Sequence, residues 1–326
     1  MIHRHRRPMM PMNRVQLQKG MSLSEFMERY ATEEGCEREL QEQRWPEGFA
    51  CPACNGREYS NFRRGRLLYF QCCGCRRQCS LLSGTVLESS KLSLRRWFQA
   101  AYVLTQAKNN VSALELMRHL GVCAKTAWSM KHKLMEAMWI RERPRTLRGT
   151  VQMDEAFLGG EATGRQSLGR KGKVALLAAV SVTPEGKPKY VCLSPQPATG
   201  EDVAVFSLNS LQPDSLVVSD GAPSFNYVKW GGAARHKSIV TGGGKQACEI
   251  PELKAVNIVL GNLKTAITGT YHAFKFAKYG YRYLAEFQYR FNRRFDLASL
   301  MQSLIRAAAN AKPTPMRSLR MAEDCR

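Results

Sequence analysis

A chain of 326 residues with 44% hydrophobic content is long enough for two or three domains with real cores. Lys and Arg total 49 against 27 Asp and Glu, a formal net charge of +22, which favours a polyanionic partner and salt-dependent binding to nucleic acid. No apolar run approaches the roughly 18 residues of a membrane span, and the basic opening Met1-Ile2-His3-Arg4-His5-Arg6-Arg7-Pro8 lacks the apolar stretch of a secretory signal.

Residues 1–44 read as a basic arm followed by a helix over 22–43, with Leu23, Phe26, Met27 and Tyr30 at helical spacing. Trp45-Pro46-Glu47-Gly48 ends that pattern. Six of the eleven cysteines then fall between Cys51 and Cys79. Cys51-Pro52-Ala53-Cys54 and Cys72-Cys73-Gly74-Cys75 are two Cys-x-x-Cys knuckles seventeen residues apart, the spacing of a zinc ribbon over 45–85. Four thiolates from Cys51, Cys54, Cys72 and Cys75 would close a structural zinc site and replace a core this short segment cannot build. Cys73 competes with Cys72 for the register. Arg57, Arg63, Arg64, Arg66, Tyr69, Phe70, Arg76 and Arg77 surround the knuckles, as a phosphate-contacting ribbon or as a solvated hairpin face. Clustered cysteines without a leader suit a reducing compartment, so a cytoplasmic, bacterial, nucleoid-associated protein is expected.

Residues 86–145 read as a helix-turn-helix domain, with several helices over 91–140 and a charged linker at Arg141 to Arg145. Ser112 to Leu120 forms one helix, Gly121 a turn, and a second helix opens near Ala124. Ala127, Met130, Leu134 and Met138 fall on one face of it; Lys125, Ser129, His132 and Glu136 fall opposite. That split suits the recognition helix of a helix-turn-helix, with Lys125, Thr126, Ser129, His132 and Lys133 as DNA contacts. An ordinary helical hairpin is the competing reading.

From residue 146 the texture changes to strands, expected at 149–154, 174–182, 189–194 and 215–220, with a hairpin at Pro184-Glu185-Gly186-Lys187. Helices follow at 200–210, 251–268 and 281–309. A crossover helix between the third and fourth strands makes a mixed α/β core over 146–310, and a tail covers 311–326. Two strands end in aspartate: Val151-Gln152-Met153-Asp154 and Leu216-Val217-Val218-Ser219-Asp220. A strand-borne carboxylate beside an open end holds a hard cation well, although either Asp alone reads equally as a turn or helix cap. Glu155 points to the opposite face of its strand. On the helix after Asp220, Asn257, Gly261 and Lys264 share a face. Asn257 offers a carbonyl oxygen to a metal, Gly261 leaves room for a phosphate, and Lys264 neutralises it.

Together these segments resemble the zinc-ribbon insertion-sequence transposases of the DDE superfamily, the ISXO-like type. The resemblance rests on the ribbon, on Lys125-Thr126-Ala127-Trp128-Ser129-Met130-Lys131-His132 and on Met153-Asp154-Glu155-Ala156-Phe157-Leu158-Gly159-Gly160. Ser219-Asp220-Gly221, Asn262-Leu263-Lys264, Gly269-Thr270-Tyr271-His272 and Tyr289-Arg290-Phe291-Asn292-Arg293-Arg294 complete it, over roughly 45–310. It implies a ribonuclease H-like mixed-sheet catalytic core preceded by the zinc ribbon and the helix-turn-helix. It also implies two Mg²⁺ or Mn²⁺ ions on Asp154, Asp220 and a third residue. That residue is usually Glu; here it is Asn257, as in some members, with Glu249 and Glu252 as possible substitutes. The implied activity is cleavage at the inverted-repeat ends and strand transfer into target DNA by a homo-oligomer, with Lys264 on a phosphate. The alternative is a transposase-derived DNA-binding protein with an inactive core. The segment 271–295 holds ten aromatics among basic residues, suiting either a DNA-tracking surface or a helix closing the core, and His272 reads as structural. Gly242-Gly243-Gly244-Lys245 lacks the P-loop spacing, so no nucleotide cofactor is expected.

Overall fold

The computed structural model describes residues 17–158, 173–232, 235–240, 250–271 and 276–321. The basic arm before residue 17, Gly159-Gly160, Gly242 to Lys245, Glu249, His272 and Lys275 lie outside them.

The expected first helix is two. α1 (Leu23–Arg29) stops because Thr32 caps α2 (Glu33–Arg44), its hydroxyl accepting from Gly35 N at 3.1 Å. Phe26 and Tyr30 are buried as the spacing predicts, whereas Leu23 and Met27 are about half exposed. The ribbon is a three-stranded antiparallel sheet of β1 (Tyr59–Arg64), β2 (Leu67–Cys72) and β3 (Gln78–Ser80), in that order. α3 (Leu94–Gln106) receives no cap from its own Ser93. Glu33 of α2 supplies it instead, accepting from Leu94 N at 2.5 Å and Arg95 N at 3.1 Å. α4 (Ala113–Leu120) ends at Gly121 in the left-handed region at φ 59, which lets α5 (Ala124–Glu142) turn away.

The second sheet has the order β6-β5-β4-β7-β8, with β4 (Thr150–Leu158) at its centre. β5 (Val174–Val182) and β6 (Pro188–Ser194) add antiparallel on one side. β7 (Leu216–Asp220) and β8 (Arg235–Ile239) add parallel on the other. β8 was not expected from the sequence: its Arg-His-Lys-Ser-Ile pattern has too little apolar alternation to read as a strand. α6 (Gly200–Ser210) and the 3₁₀ turn Pro223–Lys229 cover one face through Val203, Phe206, Phe225 and Val228. α7 (Lys254–Thr268) covers the other through Val256, Val259, Leu260 and Leu263, joined by Leu284 and Phe287 of α8 (Phe276–Asn292).

α8 also seals the free edge of the sheet. Val191 N donates to Asn292 Oδ1 at 2.8 Å and Leu193 N to Gln288 Oε1 at 2.9 Å, so amides one helical turn apart satisfy alternate N–H groups of β6. On its other side α8 meets α5 through buried ion pairs, Lys131 with Glu286 at 2.9 Å and Arg282 with Glu136 at 2.6 Å, and Arg293, one residue past its end, pairs with Glu142 at 2.5 Å. The chain then breaks and continues as α9 (Leu300–Asn310) and α10 (Met316–Arg320). The expected single helix over 281–309 is therefore two. α9 does not close the catalytic domain: its Leu300, Met301, Leu304 and Ile305 are packed with Leu40, Phe98, Leu104 and Met138 of the N-terminal core.

Candidate active site and DNA-binding elements

The parallel register of β4 on β7 pairs Val151 with Val217 and Met153 with Ser219, so the next residues, Asp154 and Asp220, come abreast. Adjacent strands lie about 4.8 Å apart, which sets the backbone separation of the two residues. Residues 156 and 158 of β4 and Val218 of β7 belong to the core under α7, and Asp154 and Asp220 share that side by alternation. Glu155 takes the other face, where it accepts from Ala198 N at 3.1 Å. Asp154 Oδ1 accepts from its neighbour Glu155 N at 2.8 Å, and Asp220 Oδ1 from Ala222 N at 3.1 Å, so both carboxylates keep oxygens for a further partner. Burial first, and the Asp220 charge second, push the Asp154 carboxyl up to about 6, with Lys264 pulling the other way.

α7 is fixed on this strand pair by Gln152, a residue the sequence reading passed over. Its buried Oε1 accepts from Val256 N at 2.9 Å, satisfying one orphan donor of the first helical turn. Asn257 follows directly. Its Nδ2 donates to Leu253 O at 3.1 Å, which ties back the amide nitrogen and leaves Oδ1 as an acceptor with no hydrogen bond among the described residues. Lys264 is exposed two turns on, and the space beside Gly261 is open. Glu252 stands apart on the surface, paired with Lys237 of β8 at 3.5 Å. Among the described residues no third His, Cys, Asp or Glu completes a ligand set with the two aspartates. Two adjacent carboxylates are hard donors that suit Mg²⁺ or Mn²⁺, an amide oxygen such as Asn257 Oδ1 is a donor of the same class, and such ions keep positions for water and phosphate oxygen.

Cys51, Cys54, Cys72 and Cys75 place all four sulfurs within 4.8 Å of one another. Sγ atoms of Cys51 and Cys75 are 3.5 Å apart and those of Cys54 and Cys72 3.6 Å, close to the ~3.8 Å edge of a tetrahedron with Zn–S bonds of about 2.3 Å. Backbone N–H groups of Ala53 and Cys54 hold the Cys51 thiol down to about 6, and those of the second knuckle lower Cys72. The donor set fits structural zinc. Cys73 is exposed and outside the cluster, which settles the register on Cys72. Arg63 is committed to α2 by a bidentate pair with Glu37 at 2.6 and 3.0 Å.

The second helix of the helix-turn-helix departs from expectation. α5 is enclosed on nearly all sides from Ala127 to Met138, because α4 and α9 pack on one side and α8 on the other. His132 is 1% exposed, stacked on Trp128 at 4.0 Å and edged by Tyr279. Burial, then the Arg282 and Lys131 charges, drive its imidazole down to about 2, so it stays neutral. The expected DNA contact from His132 is thus corrected to a core role, and Glu136, placed on the polar front, is corrected to a buried partner of Arg282. Lys125 is exposed, and Thr126, Ser129 and Lys133 are half-buried, so these four of the expected contact residues keep accessible surface on the first turns of α5.

A mixed five-stranded sheet flanked by α6 and α7, with carboxylates abreast on its adjacent central strands, is the ribonuclease H-like architecture. The expected end of the first strand at Asp154 is corrected, because β4 runs on to Leu158 along β5 and only its pairing with β7 stops beside Asp154. Residues 146–292 match the ISXO2-like transposase domain and residues 31–78 the transposase zinc-ribbon domain. Together the two matches cover more than half of the chain, which belongs to this family of zinc-ribbon insertion-sequence transposases. An uncharacterized protein in transposable element ISH50 of Halobacterium salinarum is 34% identical over 131 residues, 39% of this chain and 42% of that protein. The matched stretch therefore spans less than half of that relative. The zinc-ribbon match opens at residue 31, so α2 travels with the ribbon to which Glu37 and Arg63 tie it. No helix among the described residues is long and apolar enough to cross a membrane.

Proposed function

We propose that the protein binds the inverted-repeat ends of an insertion sequence, cuts one strand at each to free a 3′-hydroxyl, and joins that end to target DNA. The observation that carries this reading is the register that sets Asp154 beside Asp220 on the sheet face that α7 covers. Asp154 and Asp220 hold the cations, and Asn257 Oδ1 completes one coordination sphere. Two divalent ions of the magnesium class, when bound, supply Lewis acidity at the attacking and leaving oxygens of an in-line displacement. Lys264 neutralises the phosphate that approaches over Gly261. Lys125, Thr126, Ser129 and Lys133 meet DNA, together with the exposed basic residues of the ribbon. A homo-oligomer assembled on paired ends, working on nucleoid DNA in the cytoplasm without a nucleotide cofactor, fits this chemistry and the thiolate zinc site.

One observation favours a second reading. Asn257 is neutral where a carboxylate would add charge to the site, so a DNA-binding protein with an inactive core is the alternative. Cleavage of a duplex carrying the element's own ends, with Mg²⁺ or Mn²⁺, separates the two. Wild type is expected to cut at the 3′ ends, Asp154→Ala to bind without cutting, and Asn257→Glu to retain activity. Binding without cutting by wild type, restored in Asn257→Glu, would establish the inactive core.

A further inference from the structure

The loop joining α3 to α4 turns every carbonyl from Ala107 to Val111 inward. Arg290 of α8 donates to Ala107 O, to Lys108 O at 3.2 Å and to Asn109 O at 2.7 Å. Thr270, just past α7, donates its hydroxyl to Asn110 O at 3.1 Å, and Lys131 Nζ donates to Val111 O. A planar trans peptide holds its N–H antiparallel to its C=O, so the N–H groups of residues 108 to 112 turn the other way. None of them has a hydrogen-bond partner among the described residues.

The loop also walls a groove of about 560 Å³, lined by Lys108, Asn109, Asn110, Ser112, Arg118 and Thr270. Asn110 is only 6% exposed; its Oδ1 accepts from Arg290 at 3.3 Å, while its Nδ2 has no partner. The planar amide sends Nδ2 away from the guanidinium that holds its oxygen. At the same place α4 begins, with Ser112 capping Glu115 N at 3.1 Å and the N–H groups of Ala113 and Leu114 still open. The Lys108 and Arg118 side chains are exposed there, and Glu115, also on the wall, stands 3.8 Å from His119.

We propose that this groove seats a backbone phosphate of the bound DNA end, between the helix-turn-helix and the end of the catalytic helix α7. Unpartnered N–H donors, a helix start and two cations flank the groove, with the buried amide nitrogen of Asn110 in its wall; the loop's carbonyls are already taken, and Glu115 is the one carboxylate among the lining residues. The groove adjoins the first helix of a helix-turn-helix, the element that crosses the DNA backbone. The phosphate would rest on a loop whose other side is gripped by Thr270 and Arg290, so end binding and the catalytic helix share one support. This inference rests on the DNA-end reading above.

The test is equilibrium binding of a labelled duplex carrying the element's own end to the full chain. Asn110→Asp keeps an oxygen for Arg290 and replaces the free donor by an anion; it is expected to fold as wild type and bind about tenfold more weakly. Lys108→Ala, whose side chain is exposed, is expected to lower the slope of log K against log salt by about one unit. Replacing single phosphates by neutral methylphosphonates should reveal one position that weakens wild type and leaves Asn110→Asp unchanged. Wild-type binding together with unaltered binding by both variants would overturn the site alone; failure of wild type to bind any end would overturn the DNA-end reading as well. Protection by inorganic phosphate that depends on Asn110, without any change in end binding, would make it a free-anion site and also overturn the proposal. Should Asn110→Asp fail to fold, the salt slope of Lys108→Ala decides.

Discussion

Asp154 is an acid in a poor place for an anion, and its raised carboxyl has a consequence with a definite sign. The folded state holds the proton up to about 6, the unfolded state only to the ordinary Asp value of 3.8. The folded state therefore binds more protons between these values, so this group's contribution to stability is complete below the unfolded value and lost as pH rises through about 6. The loss is on the order of 2–3 kcal/mol for this mostly buried group. Asp154→Asn should raise the metal-free Tm at neutral pH and flatten its dependence on pH over that window. Millimolar Mg²⁺ should raise the wild-type Tm, because it binds the folded state alone, and leave the variant unmoved. Thermal unfolding across pH, with and without the ion, checks both; an equal Mg²⁺ shift in the variant would remove Asp154 from the ligand set. Asp220 was legible because an apolar run that ends in Asp spells out a strand end; Asp154 was found by the same pattern, although β4 runs on past it to Leu158. Gln152 and His132 were not, since their partners are a backbone N–H on α7 and aromatic residues of α8, more than a hundred positions away.

Helix α7 shows how one element divides its labour. Val256, Val259, Leu260 and Leu263 bury against the sheet, while Asn257, Gly261 and Lys264 stay on the outer turn. A methyl group at Gly261 meets nothing within 4 Å, so Gly261→Ala should stabilise the isolated protein by about 0.5–1 kcal/mol, as Ala does over Gly in an exposed helix. If the open space is the approach of a phosphate, the same change should slow strand cleavage while leaving end binding alone. A variant with unchanged cleavage would show that the glycine serves the helix only. The period of α7 was readable because one face is apolar and the other wet. α5 defeated the same reasoning: its polar residues Lys131, Glu136 and Glu142 are buried with opposite charges from α8 and from Arg293 just past it, so alternation of polar and apolar positions does not report exposure there.

The whole chain folds back on itself. Phe70, Cys51 and Cys72 of the ribbon share one hydrophobic cluster with Leu40 of α2, Trp97 and Leu104 of α3, Met138 of α5 and Leu304 of α9. Zinc removal by a chelator is therefore expected to destabilise this entire N-terminal core as a unit, lowering its Tm and not merely releasing a peripheral knuckle. Calorimetry with and without chelator would read this, and loss of a small, separate transition alone would contradict it. The sequence order of ribbon, helices and strands was readable from composition. The return of α9 was not, because nothing local in Leu300–Asn310 says which of two cores its apolar face joins.

That return sets a timetable. α2 leaves the ribosome more than 250 residues before α9, yet the two are packed together. The half of the molecule that is made first thus waits, its apolar seam uncovered, until material translated much later arrives to finish it. Nascent chains stalled in between, and breakdown products lacking residues 300–310, carry every ribbon cysteine and still no completed N-terminal core. Such fragments should be prey for chaperones and proteases and poor competitors of the intact protein.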